Sequence, residues 1–90
     1  MSERRVRVQS KVGLHARPAA LFVQAAARAP MDVTVAKSGG TPVNAKSILA
    51  VLGLDARHGE EIVITAEGDT AETVLDELEA VVQEAEPETG

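Results

Sequence analysis

The chain has no cysteine, no tryptophan and no tyrosine, and a single phenylalanine in 90 residues. Without cysteine there are no disulfide staples, no thiolate nucleophile and no Cys-based zinc site, and a reducing cytosol is the compartment that fits. With Phe22 the sole aromatic, a core has to be built from Val, Leu, Ile and Ala, and the stacking platforms of single-strand nucleic-acid binders are missing. No segment approaches the ~20 apolar residues of a membrane span, and the first thirteen residues hold no apolar run of signal-peptide length. A cytoplasmic protein without metal or cofactor is expected.

Basic residues are also missing from one part of the chain. Residues 58 to 90 carry eleven acids and no Lys or Arg, whereas residues 1 to 57 hold all nine bases against Glu3, Asp32 and Asp55. The plain account of the acidic end is the solvated face of a last helix. The basic half suits anionic ligands or acidic protein partners. Scattered bases and a net charge of -5 argue against nucleic acid. Ninety residues make one domain, residues 1–90, able to bury roughly two-thirds of its extended-chain surface.

Hydrophobic periodicity supplies the elements. Arg5-Val6-Arg7-Val8 alternates and reads as a one-face-exposed or edge strand. Ala16 to Arg28 reads as a helix with Ala19, Phe22, Val23 and Ala26 on one stripe, ending before Pro30. Val33 to Ala36 and Thr41 to Val43 flank Ser38-Gly39-Gly40 as a hairpin. Ser47 to Leu52 reads as a short helix closed by Gly53 as a left-handed glycine, and Glu61 to Ala66 as the clearest strand. Asp69 and Glu72 have capping-box spacing. Behind them Val74, Leu75, Leu78, Val81, Val82 and Ala85 line one helical face until Pro87, after which residues 87–90 fray. The order β-α-β-β-α-β-α implies an α+β open-faced sandwich: a four-stranded antiparallel sheet with three helices on one face.

The chemistry concentrates in Gly13-Leu14-His15-Ala16-Arg17-Pro18-Ala19. Pro18 lacks an N–H and has φ already near helical, so it belongs in a first helical turn. That sets His15 at a helix mouth, beside unpaired amides and the positive end of the dipole, which together favour an anion. Arg17 adds a planar, multi-donor cation suited to phosphate oxygens. A lone histidine near a helix start is often only a cap. Gly13, which permits close approach, together with Arg17 and Pro18, points instead to a histidine that itself accepts a phosphoryl group.

The Gly-Leu-His-Ala-Arg-Pro-Ala string resembles the active-site signature of the HPr family, the histidine-containing phosphocarriers of the bacterial phosphoenolpyruvate-dependent sugar phosphotransferase system. Asn44-Ala45-Lys46-Ser47-Ile48-Leu49 resembles the same family's second, regulatory signature, and the likeness runs from the strand before Gly13 to the last helix. Val12 departs from the small or polar residue common there, and Gly39-Gly40 looks one residue longer than the usual turn. The resemblance implies a stoichiometric carrier, not an enzyme. His15 would be phosphorylated on Nδ1, the pros nitrogen, by Enzyme I, and the group passed to a histidine of sugar-specific IIA proteins. The Ala16 and Arg17 amides and the Arg17 side chain would hold the phosphoryl oxygens. A monomer is expected.

Ser47 has a plain role as a helix cap; in many relatives the matching serine is phosphorylated by an HPr kinase. Ser47 to Leu54 has apolar residues on nearly every side, too many for a short helix to bury, so part of it must be exposed beside the site. By resemblance Ile48, Leu49 and Leu52 are the residues that dock Enzyme I and IIA proteins. Relatives serving a nitrogen-regulatory or dihydroxyacetone-kinase phosphorelay share the signature, and a regulatory module acting through Ser47 alone would have no use for His15. Arg57-His58-Gly59 copies the Arg-His-Gly string of histidine phosphatases, but it lies in a turn before a strand with nothing basic after it, and reads as a solvated loop.

Overall fold

Four strands form one antiparallel sheet in the order β1-β4-β2-β3: β1 (Ser2–Arg7), β2 (Val33–Lys37), β3 (Val43–Asn44) and β4 (Glu61–Ala66). The computed structural model describes residues 2–9 and 16–83. Three helices complete the described chain: α1 (Ala16–Ala27), α2 (Ile48–Gly53) and α3 (Ala71–Gln83).

Alternation decides which side of the sheet is covered. In the register Val6 faces Ile62, while Val35 and Val33 face Ile64 and Ala66. All six are buried, on the face toward the helices. The intervening Glu3, Arg5, Glu61, Val63, Thr65 and Thr34 sit on the opposite face and keep some solvent contact, as an open-faced sandwich requires. β4 lies between β1 and β2, so the β1-α1-β2 crossover straddles a strand added later in the chain.

The helices fill the covered side with small and branched side chains. Phe22 of α1 is fully buried among Ala19, Ala26, Leu75, Leu78 and the sheet valines and isoleucines of one continuous core. Alanine permits close approach of helix and sheet, and burying the one aromatic removes more apolar area from water than any other single residue of this core can. Val23, expected on the same stripe, is half-buried. α3 spreads Ala71, Val74, Leu75, Leu78 and Val82 over the sheet.

Three local readings change. Gly53 is the last helical residue and carries no positive φ; the helix tightens through Leu54 N–H to Val51 O and Asp55 N–H to Leu52 O, both 3.1 Å. The left-handed position is Asp55, φ 53. A short polar side chain tolerates it, and Asp55 Oδ2 accepts from Arg57 Nε at 3.2 Å and Nη2 at 2.9 Å. Asp69 is not the cap of α3, which starts two residues later, and Glu72 turns to Arg4 at 3.0 Å instead of back to a helix amide. Strand β3 begins at Val43, not Thr41, because Pro42 has no N–H for a ladder; the hairpin closes through Gly40 N–H to Lys37 O at 2.7 Å, with Gly39 at φ +82. Val12, Gly13, His15, Ala85 and residues 87–90 lie outside the described residues.

Candidate functional site

Helix α1 starts at Ala16, directly after His15, and its third residue is Pro18. Pro18 is fully buried, which anchors the first turn where its missing N–H costs nothing. Arg17, one residue earlier, is exposed. The first four amides of a helix have no partner within it, so the start of α1 sets N–H donors beside an exposed guanidinium, the combination that binds oxyanions.

Arg17, Leu21, Gln24 and Arg28 lie three or four residues apart and all are exposed, so α1 presents one outward row with a cation at each end. Leu21 is 47% exposed. α2 packs against α1 and adds Ile48, Leu49 and Leu52, exposed by 37%, 79% and 37%, while Val51 is sealed in the core. A six-residue helix thus buries one edge and leaves three large apolar side chains in water. Leu21 was not legible as part of this surface, since its helix announced only its buried stripe; its position four residues after Arg17 was the available signal.

Ser47 caps α2. Its backbone is extended (φ -108, ψ 117) and its Oγ accepts the Ala50 N–H at 3.3 Å. The approach is held from behind: Asn44 Oδ1 accepts the Lys46 N–H at 2.9 Å and Asn44 O accepts the Ser47 N–H at 3.1 Å. Beyond α2, the turn around His58 braces the end of β1. Arg7 Nη1 donates to Gly59 O at 2.6 Å, Gly59 N–H to Val8 O at 3.0 Å and Val8 N–H to Glu60 O at 2.9 Å. His58 itself is exposed. Arg57, through its backbone N–H on Glu60 and its side chain on Asp55, holds both carboxyls below their ordinary values.

A first helical turn with an exposed arginine, beside an exposed apolar row on a small open-faced sandwich, leaves a broad reading: a small protein that suits an anionic ligand and presents an apolar face. Comparison with known proteins narrows it. The family model described as the PTS HPr component phosphorylation site matches residues 2–84. The chain is 54% identical over 84 residues to phosphocarrier protein HPr of Streptomyces coelicolor, covering 93% of this chain and 90% of that one. The crystal structure of HPr from Bacillus anthracis superposes with a TM-score of 0.84 at 49% identity, covering 91% of this chain and 96% of the other. Crh of Bacillus subtilis, described as a swapped dimer, gives a TM-score of 0.69 at 46% identity, covering 93% and 95%.

The chain belongs to the HPr family: it is a phosphocarrier of the phosphotransferase system and not an enzyme. Among the described residues no helix is long and apolar enough to cross a membrane.

Proposed function

We propose that His15 is the residue that carries the phosphoryl group, received on Nδ1 from phosphorylated Enzyme I and passed on to IIA proteins. Attack requires a neutral imidazole, and a ring seated at the positive end of α1 beside the Arg17 guanidinium would be disfavoured in its protonated form. In each transfer the bond from phosphorus to the donor breaks as the bond to the acceptor nitrogen forms. The negative charge spread over the phosphoryl oxygens then meets the Ala16 and Arg17 amides and the Arg17 side chain. The observation that carries this reading is the exposed Arg17 in a first turn fixed by buried Pro18.

Leu21, Ile48, Leu49 and Leu52 form the surface on which both partners dock, and Ser47, at its margin, is the regulatory position for an HPr kinase. A dianion there suits a helix start but faces an acidic partner, so it weakens docking more than folding. In this reading one copy of the chain suffices, and it works in the cytoplasm. Incubation with phosphoenolpyruvate and Enzyme I tests it: the wild type gains one acid-labile phosphate and His15→Ala gains none. Label retained by the variant would overturn the assignment.

A further inference from the structure

Lys46 makes a bond that neither phosphate binding nor capping uses. Its side chain is half-buried, and Nζ donates to the carbonyl of Ala29 at 3.0 Å. Ala29 is itself buried and continues the last turn of α1 through its N–H to Ala26 O at 3.0 Å. The ammonium therefore sits at the negative end of α1, on a carbonyl with no helical partner. Lys46 is also the second residue before α2. Its own N–H is fixed by Asn44 Oδ1, and the preceding Ala45, fully buried, donates its N–H to Val33 O at 2.9 Å.

Among the described side-chain hydrogen bonds this is the one that joins the α1 segment to the start of α2. Among the described residues the two helices also share the apolar core that holds Val51. Apolar burial is non-directional and would tolerate a slide or a roll of so short a helix. A charged hydrogen bond to a fixed carbonyl would not.

We propose that Lys46 is a positioning residue for partner docking: through Ala29 it fixes the pitch of α2 against α1, so that Leu21 on one helix and Ile48, Leu49 and Leu52 on the other present a single surface. This rests on the docking role proposed above for that surface. Lys46 has no contact with the phosphoryl group in this account, so its loss acts on recognition and leaves the chemical step alone.

The test uses the full chain as substrate of Enzyme I. Lys46→Met keeps the apolar stem and removes the donor; the KM for the carrier should rise by about three- to tenfold with kcat unchanged. Lys46→Arg, which can still reach the carbonyl, should restore most of it. Leu49→Ala runs alongside: if it leaves KM unchanged the docking reading fails, whereas a raised KM for Leu49→Ala with a normal one for Lys46→Met overturns the positioning role alone. A direct charge contact between Lys46 and the partner is separated by two readouts. Positioning predicts that backbone amide shifts from Ser47 to Leu52 move in isolated Lys46→Met and that the salt dependence of KM stays as in the wild type. Unmoved shifts, or a flattened salt dependence, would overturn it.

Discussion

Arg4 on β1 and Glu79 on α3, 75 residues apart in the chain, meet at 2.5 Å. The same guanidinium reaches Asp76 at 2.9 Å and Glu72 at 3.0 Å, so three acids spaced along one side of α3 converge on one cation. The bond to Glu79, then that to Asp76, holds the guanidinium above its ordinary value, and it stays charged throughout the accessible pH range. Arg4 thus ties an edge strand to the helix packed over it.

Replacing it with an apolar side chain leaves Glu72, Asp76 and Glu79 repelling one another along the helix. Arg4→Leu should cost about 1 kcal/mol, discounted for the exposure of Glu72 and Asp76. That corresponds to a fall of about 4–8 °C in thermal midpoint for a domain of this size. The deficit should shrink in 1 M salt, where charge interactions are screened within a few ångströms. An undiminished deficit would show that packing of the arginine stem, and not charge, holds β1 down.

The Ser47 cap separates two roles of one hydroxyl. Ser47→Ala should lower stability by about 1 kcal/mol, read from denaturant midpoints, because the Ala50 N–H loses its acceptor. Ser47→Asp keeps a capping oxygen and should leave the midpoint close to wild type while raising KM with Enzyme I. A Ser47→Asp carrier that docks normally would count against regulation at this position.

Acid sensitivity should come partly from the turn after α2. Asp55 and Glu60 have folded-state values depressed below their ordinary ones, Asp55 chiefly by the Arg57 side chain and Glu60 chiefly by the Arg57 N–H. A depressed carboxyl contributes stability that is fully present above its unfolded value and is lost as pH falls through the folded one. The contribution is therefore intact at pH 7 and fades below about pH 4. Asp55→Asn tolerates the left-handed backbone and should flatten the stability profile between about pH 5 and 2. A profile parallel to the wild type would remove Asp55 from acid unfolding.

Arg17 should matter for transfer and hardly at all for folding. It is exposed, and surface changes of this kind usually move stability by less than about 0.5 kcal/mol. Arg17→Ala should nonetheless slow phosphoryl transfer by roughly 10²- to 10³-fold, the scale of losing one preorganised donor to a developing oxyanion. Stopped-flow transfer from Enzyme I measures it, and an unchanged rate would take Arg17 out of the mechanism.

Features set by local chemistry were legible in the sequence. Alternation located β4 to the residue, the alanine run before Pro30 set α1, and Pro18 announced the first turn that carries Arg17. What escaped was non-local or depended on single hydrogen bonds. The charge asymmetry between the two parts of the chain was visible, but reading α3 as a solvated acidic face missed Arg4, since no periodicity shows which cation will fold against which helix. Gly53 looked like a helix stop by residue type, yet the chain took one more turn and left the positive φ to Asp55, paired with Arg57. Leu21 and the reach of Lys46 to Ala29 depend on how α1 and α2 lie against each other. That is a matter of packing, which a one-dimensional pattern does not encode.

One imidazole, that of His15 ahead of α1, is the proposed phosphoryl carrier. Nitrogen-15 and phosphorus-31 NMR of the protein phosphorylated by Enzyme I should show a single phosphoramidate on Nδ1 of His15, with the His58 ring unchanged. A phosphoryl group on His58, on a hydroxyl such as that of Ser47, or on the other nitrogen of His15 would contradict the account.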